Sequence, residues 1–166
     1  MKKILGYFLT PVFYLAFGLS LGFFHPVQVI CYNLWGYSAH KRSVEILNFL
    51  LIKSLALLGS SVRYEGFEKL PVNRPLIIIA NHQSMFDIPP IAWGFRRQHP
   101  KFISKKELGH GIPSISYNLR KGGSILIDRK DPQQAVLEIG NLGKKIEEHN
   151  YSAVIFPEGT RSRNGK

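Results

Sequence analysis

The apolar residues of this chain fall into one long block and a series of short ones. Ile4 to Phe24 carries no charged side chain over 21 positions, about the length with which a helix crosses a bilayer. Pro11, Gly18 and Gly22 interrupt the run, and His25-Pro26 is expected to end it. A cleaved leader would have a shorter apolar core and a small-residue cleavage site, so the segment reads as retained. Ser43 to Leu58 follows with helical spacing of Val44, Leu47, Leu51, Leu55 and Leu58. Glu45 and Lys53 argue against a second full span there, and both a core helix and a membrane-facing helix fit the pattern. Basic residues stand on both flanks, Lys2-Lys3 and Lys41-Arg42, so charge bias sets no crossing direction. A helical hairpin dipping into one leaflet suits that arrangement.

From about residue 61 the period changes. Pro75-Leu76-Ile77-Ile78-Ile79-Ala80 predicts a buried strand, as do Lys101–Ser104, Ser124–Arg129 and Ala153–Phe156. Val62–Gly66 predicts a further short strand. Between them, Ile88–Phe95, Lys105–His110 and Pro113–Leu119 predict short helices. Asp131 predicts an N-cap with Pro132 at the first helical position. That helix would bury Ala135, Val136, Ile139, Leu142 and Ile146 on one face. Strands alternating with helices give an α/β fold, a sheet with helices on both faces, preceded by N-terminal membrane-associating helices. The expected division is 1–60 for the hydrophobic helical region and 61–166 for the α/β domain. The chain ends at Gly165-Lys166 with no closing element after a motif-like segment, which predicts a domain truncated at its C-terminus.

Composition sharpens this picture in two ways. Lys plus Arg is 22 against 11 acidic residues, a formal charge of +11, which favours anionic partners such as acidic lipid surfaces or phosphorylated substrates. The chain has one cysteine, Cys31, so an intrachain disulfide and a Cys-based zinc cluster are excluded. No nucleic-acid module with interleaved aromatic and basic residues is present.

Three stretches carry candidate chemistry. Asn81-His82-Gln83-Ser84-Met85-Phe86-Asp87 follows the first strong strand, and strand carboxyl ends are where α/β sheets bind ligands. A carboxylate five positions from a histidine can hold the imidazole as a general base. The same residues also fit a capping box, with Ser84 as cap and Asp87 at its third position, and the two readings can coexist. Phe156-Pro157-Glu158-Gly159-Thr160-Arg161-Ser162 makes a turn with free backbone N–H groups, a hydroxyl and a guanidinium, a set that suits a phosphate. A solvated basic loop is the plainer alternative. Glu158 must either pair with Arg161 or meet substrate hydroxyls. Arg129 and Lys105 end or follow two further strands. If the strands are parallel, all four ends deliver their residues to one edge.

These stretches resemble, in order, three blocks of the glycerolipid acyltransferase family. Asn81 to Asp87 is similar to its Asn-His-x4-Asp block, Gly123 to Arg129 to its middle block, and Phe156 to Ser162 to its Phe-Pro-Glu-Gly-Thr-Arg-Ser block. Within the family the likeness is greatest to bacterial acyltransferases acting on 1-acyl-sn-glycerol-3-phosphate. The resemblance implies that His82 takes the proton from the hydroxyl of lysophosphatidic acid while Asp87 holds the imidazole. It implies a direct attack on an acyl thioester of coenzyme A or acyl carrier protein, with no bound cofactor and no acyl-enzyme. Glu158, Gly159, Thr160 and Arg161, with Arg129 and Lys105, would bind the acceptor. The membrane lipids place such a protein at the cytoplasmic face of the inner membrane. Two departures stand out. Ser114-Ile115-Ser116 follows Pro113 where family members often carry a glycine, and the family's final block lies beyond the chain end. Other acceptors (lyso-ornithine lipid among them), a non-catalytic basic membrane-binding protein, or a hydrolase remain alternatives, the last without a Gly-x-Ser-x-Gly elbow.

Overall fold

A computed structural model describes residues 2–71 and 73–161. Its first element, α1 (Lys2–Ser54), is one run of helix broken at Gly36, whose φ of 73° and ψ of −161° are open only to glycine. The chain reverses there. Phe13, Phe17, Leu21 and Phe24 of the first limb pack with Leu47 and Leu51 of the second as one buried cluster, so α1 is a helical hairpin. The expected stop at His25-Pro26 does not occur. The helix continues through Pro26, beside which the Ser114 hydroxyl donates to the Leu21 carbonyl at 2.8 Å and the Ser114 N–H donates to His25 Nδ1 at 3.1 Å.

The sheet has four strands in the order β1 (Ile77–Ile79), β4 (Ser152–Ile155), β2 (Pro100–Lys105) and β3 (Ile125–Ile127), each pair parallel. Successive residues of β4 point to opposite faces. Val154 joins Ile78 and Phe102 under Ile88, Ile91 and Ala92 of α2 (Ile88–Gly94), whereas Ala153 joins Ile125 and Leu142 on the side of α4 (Pro132–His149). Helices thus lie on both faces. The hairpin packs on α2 and on α3 (Ile115–Lys121). Asp131 caps α4 as its sequence requires, its side chain accepting from the Gln134 N–H at 3.0 Å.

Four expectations are corrected. β1 is an edge strand, not a buried one: Ile78 is covered, but Ile77 and Ile79 are 71% and 69% exposed, because α4 lies over β3 and β4 and does not reach β1. On α4 itself only the Leu142–Ile146 part of the expected apolar face packs on the sheet, and Val136 and Ile139 stay exposed. Residues 62–66 form no strand. Among the described residues they have no sheet partner, and Tyr64 instead packs on Phe67 and donates its hydroxyl to the Pro90 carbonyl. The helix expected over Lys105–His110 is a single 3-10 turn, Lys106–Gly109, in which Gly109 is pressed so close to Leu126 that a Cβ would stand 2.6 Å from its side chain. Ser162 of the third motif and the chain end at Gly165-Lys166 lie outside the described residues.

Ser114, the first residue of the stretch that lacks the glycine, adopts a glycine-like conformation. Its φ and ψ are 59° and −52°, and the Ile115 N–H donates to the Pro113 carbonyl across it. This is a γ-turn of the strained kind. Ser114 is fully buried, and its two hydrogen bonds to α1 hold the strained turn against the hairpin.

Candidate active site

The register of the sheet explains why its motifs meet. Ile79 of β1 pairs with Ile155 of β4, and the Ala80 N–H donates to the Ile155 carbonyl. The two chains therefore leave the same edge side by side. His82 and Phe156 follow, and their rings stack at 4.3 Å between centroids with 29° between planes.

Residues 85–87 form one 3-10 turn capped by Ser84, whose extended backbone lets its hydroxyl accept from the Phe86 N–H at 3.2 Å. Asp87 closes the box. Its Oδ2 accepts from the Ser84 N–H at 2.8 Å and the Gln83 N–H at 2.9 Å, and lies 3.2 Å from His82 Nδ1. One carboxylate oxygen thus anchors two amides and the imidazole, so capping and orientation are performed by the same side chain. With a proton on Nδ1 shared with Asp87, the Nε2 lone pair is left to accept another. Phe86, between these residues, points into the hairpin. Its ring meets Phe13 at 5.1 Å and Phe17 at 5.4 Å, both edge-on.

His82, Lys105, Arg129, Gly159, Thr160 and Arg161 all line one cavity of about 990 Å³. Gly159 has a φ of 63° and donates its N–H to the Phe156 carbonyl, forming the tight turn that presents the following residues. A Cβ at Gly159 would lie 4.0 Å from the Arg129 guanidinium. Arg129 therefore reaches from beyond β3 to the turn after β4. Its base is held by Gln134, which accepts from the Asp128 N–H and donates to the Leu126 carbonyl. Lys106, next to the expected Lys105, pairs with Asp128 at 3.7 Å and ties two strand ends together. Glu158 is exposed and absent from the cavity wall, and among the described residues no ion pair joins it to Arg161.

A protein-family model described as Acyltransferase matches residues 61–166. The chain belongs to the Acyltransferase family. A 1-acyl-sn-glycerol-3-phosphate acyltransferase of Helicobacter pylori is 40% identical over 93 residues, covering 54% of this chain and 37% of the relative. A protein of the same name from Saccharomyces cerevisiae is 28% identical over 159 residues, covering 94% and 50%. The crystal structure of the 1-acyl-sn-glycerophosphate (LPA) acyltransferase PlsC from Thermotoga maritima superposes with a TM-score of 0.77 at 29% identity, over 100% of this chain and 66% of that one. The chain spans between a third and a half of the two curated relatives' length.

Three parts of the site in this member of the family, Phe156, Phe86 and Gln134, carry no local sequence signal of their role. Phe156 sits inside a recognised block, but its stacking on His82 depends on β4 lying beside β1, which local spacing does not encode. The α1 side chains that wall the cavity were missed for the same reason.

Proposed function

We propose that this chain transfers a fatty acyl group from a thioester, of coenzyme A or acyl carrier protein, to the free hydroxyl of 1-acyl-sn-glycerol-3-phosphate, giving phosphatidic acid. The observation that carries this reading is the His82–Asp87 pair opening on a cavity that also holds Arg129, Arg161 and Lys105. His82 Nε2 takes the hydroxyl proton as the oxygen attacks the thioester carbonyl. The C–S bond then breaks, and the imidazolium returns the proton to the leaving thiolate. Asp87 keeps the reactive tautomer and balances the imidazolium charge. Base catalysis of this kind contributes about 10²–10⁴-fold. The phosphate of the acceptor lies against Arg129, Arg161 and the Thr160 side chain that the Gly159 turn presents, while Phe17, Leu21, Leu47, Leu51 and Phe102 offer apolar wall to an acyl chain. No resident cofactor enters these steps.

The same reading puts the chain at a membrane surface. α1 is long and apolar enough to cross a bilayer by length and composition. Tyr7, Phe8, Leu15, Leu19 and Phe23 stand exposed on its first limb, a surface suited to lipid. With the site beside the hairpin, a lysolipid enters from the bilayer and the thioester from the cytoplasmic side.

An acyl-transfer assay in vesicles, with a panel of lysolipids and both thioester carriers, tests this. Phosphorylated lysolipid is expected to be the preferred acceptor, and His82→Ala is expected to remove transfer while retaining fold and vesicle binding. Undiminished turnover in that variant refutes the general-base assignment.

A further inference from the structure

The sheet has a second edge, and basic side chains converge there too. Because the strands are parallel, their amino ends all lie opposite the edge that carries His82, and β2 from Pro100 to Lys105 puts roughly 17 Å between the two. Arg74 stands before β1, Arg97 and Gln98 before β2, and His149 and Asn150 before β4. These residues wall a separate pocket of about 90 Å³. Ser152, fully buried, ties the three approaches together. Its hydroxyl accepts from the Leu76 N–H at 3.0 Å, and its own N–H donates to the His99 carbonyl at 3.3 Å. His99 and Asn150 lead into their strands with positive φ of 49° and 55°. That conformation costs energy outside glycine, and such strain clusters at ligand sites. The pocket wall carries two guanidiniums and no carboxylate. Arg74 and Arg97 are exposed, and among the described residues neither pairs with an acid. The Glu148 carboxylate stands 3.9 Å from His149 Nε2, so His149 adds a donor without adding net charge. Gln98, nine-tenths buried, lends its side-chain amide to the wall, and the bond from its Nε2 to the Pro71 carbonyl is long at 3.5 Å.

We propose that this pocket binds the phosphate group of an anionic lipid, with Arg74 and Arg97 as its two clamps and His149 as a further donor. Paired guanidiniums suit a phosphate, because each presents a planar fork of N–H groups to its oxygens. The fold favours a lipid as the source. The Tyr151 ring meets His149 at 5.2 Å and His99 at 5.8 Å, and on its other side it meets Tyr37 at 5.9 Å. Tyr37 follows Gly36, where the hairpin reverses, and Leu34 and Trp35 stand exposed at that apex. One ring therefore separates the pocket from the apolar apex, which brings it to the headgroup layer when the apex rests in lipid. The site is distinct from the acceptor phosphate site at Arg129 and Arg161, on the other edge of the sheet. The inference uses the membrane placement for the source of the phosphate and stands apart from the acyl-transfer reading.

NMR of the whole chain in a non-ionic detergent reads the two edges separately, since the imidazole signals of His149 report this pocket and those of His82 report the cavity. The probes are dihexanoyl phosphatidic acid, inorganic phosphate and, as the zwitterionic control, dihexanoyl phosphatidylcholine. Phosphatidic acid is expected to shift the His149 signals saturably where phosphatidylcholine does not, and at lower concentration than inorganic phosphate. Arg74→Met with Arg97→Met is expected to weaken that response by about tenfold or more while the His82 response stays as it was. Both side chains are exposed, so the variant keeps its fold. Arg74→Lys with Arg97→Lys retains the charge without the fork and is expected to restore only part of the affinity. Equal midpoints for phosphatidic acid and inorganic phosphate refute a lipid as the source. The absence of a saturable His149 response to either phosphate, or a response that the double Met variant leaves unweakened, overturns the proposal.

Discussion

Phe86→Ala tests whether the hairpin holds the turn that carries His82 and Asp87. Phe86 is half-buried, and its ring is wedged edge-on against Phe13 and Phe17. Complete truncation of a buried Phe costs about 3–5 kcal/mol. Half-burial lowers that to about 2 kcal/mol, and two edge-to-face pairs at about 0.5–1.5 kcal/mol each restore part of the difference. The expected loss is about 3 kcal/mol, or roughly a hundredfold in the equilibrium between docked and undocked turn. That loss falls on the segment carrying Asp87, one residue from the hairpin contact, and His82, four residues from it. Hydrogen exchange of the Gln83 and Ser84 amides, both bonded to Asp87 Oδ2, reads the undocking directly. Exchange there is expected to accelerate by a similar factor, with a parallel fall in acyl transfer. Phe86→Leu keeps bulk and loses the ring pairs, so it should cost about 1–2 kcal/mol and fold in any case. Unchanged exchange in both variants, or equal losses in both, refutes the argument that ring packing fixes the turn.

The remaining predictions address single groups. Asp87→Asn keeps the shape but weakens two amide bonds to an ionised acceptor, and is expected to lower kcat by more than tenfold with little change in acceptor KM, read by steady-state kinetics. Ser114→Ala leaves the strained φ in place and removes the bond to Leu21, so chemical denaturation should show a loss of about 1–3 kcal/mol. Ser114→Gly removes the same bond but relieves the strain, and its loss should be smaller by about 1 kcal/mol. Burial, with Lys41 nearby, lowers the Lys101 pKa from 10.5 to about 7. Between those values the unfolded chain binds a proton that the folded chain has released, so stability rises with pH through this window. The rise is about 2 kcal/mol between pH 7 and pH 9, and Lys101→Met should abolish it in denaturation curves measured at both pH values.

What could be read from the sequence was what is decided locally. The Asp131 cap with Pro132, the Ser84–Asp87 box and the strands of the sheet interior each need only a few neighbouring residues, and each stands where spacing placed it. The exposure of Ile77 and Ile79 was not legible, because three consecutive isoleucines look alike in a central and an edge strand until the strand order is known. The stacking of Phe156 on His82 likewise follows from β4 lying beside β1, two strands separated by 72 residues in the chain. Ser114 is the intermediate case. The absence of a glycine after Pro113 was visible, but not that a serine could take the strained conformation there, since that depends on the buried Leu21 carbonyl and His25 ring it bonds.

The spacing inside the His82 motif follows from the tasks that its residues share. Asp87 must stand at the third position of the capped turn for its oxygen to reach the Ser84 amide, and His82 must lie two residues before the cap for its ring to meet that same oxygen. Phe86, one residue before Asp87, then projects towards the hairpin instead of the sheet edge, where it meets Phe13 and Phe17. The loop that positions the His82 imidazole is therefore also the loop that docks the apolar hairpin. A residue inserted between Ser84 and Asp87 would break the cap, the imidazole contact and the docking contact together, whereas one inserted within the hairpin limb beyond Phe24 would spare all three. Coupling of this kind gives the protein one rigid reference between the exposed apolar limb of the hairpin and the imidazole of His82.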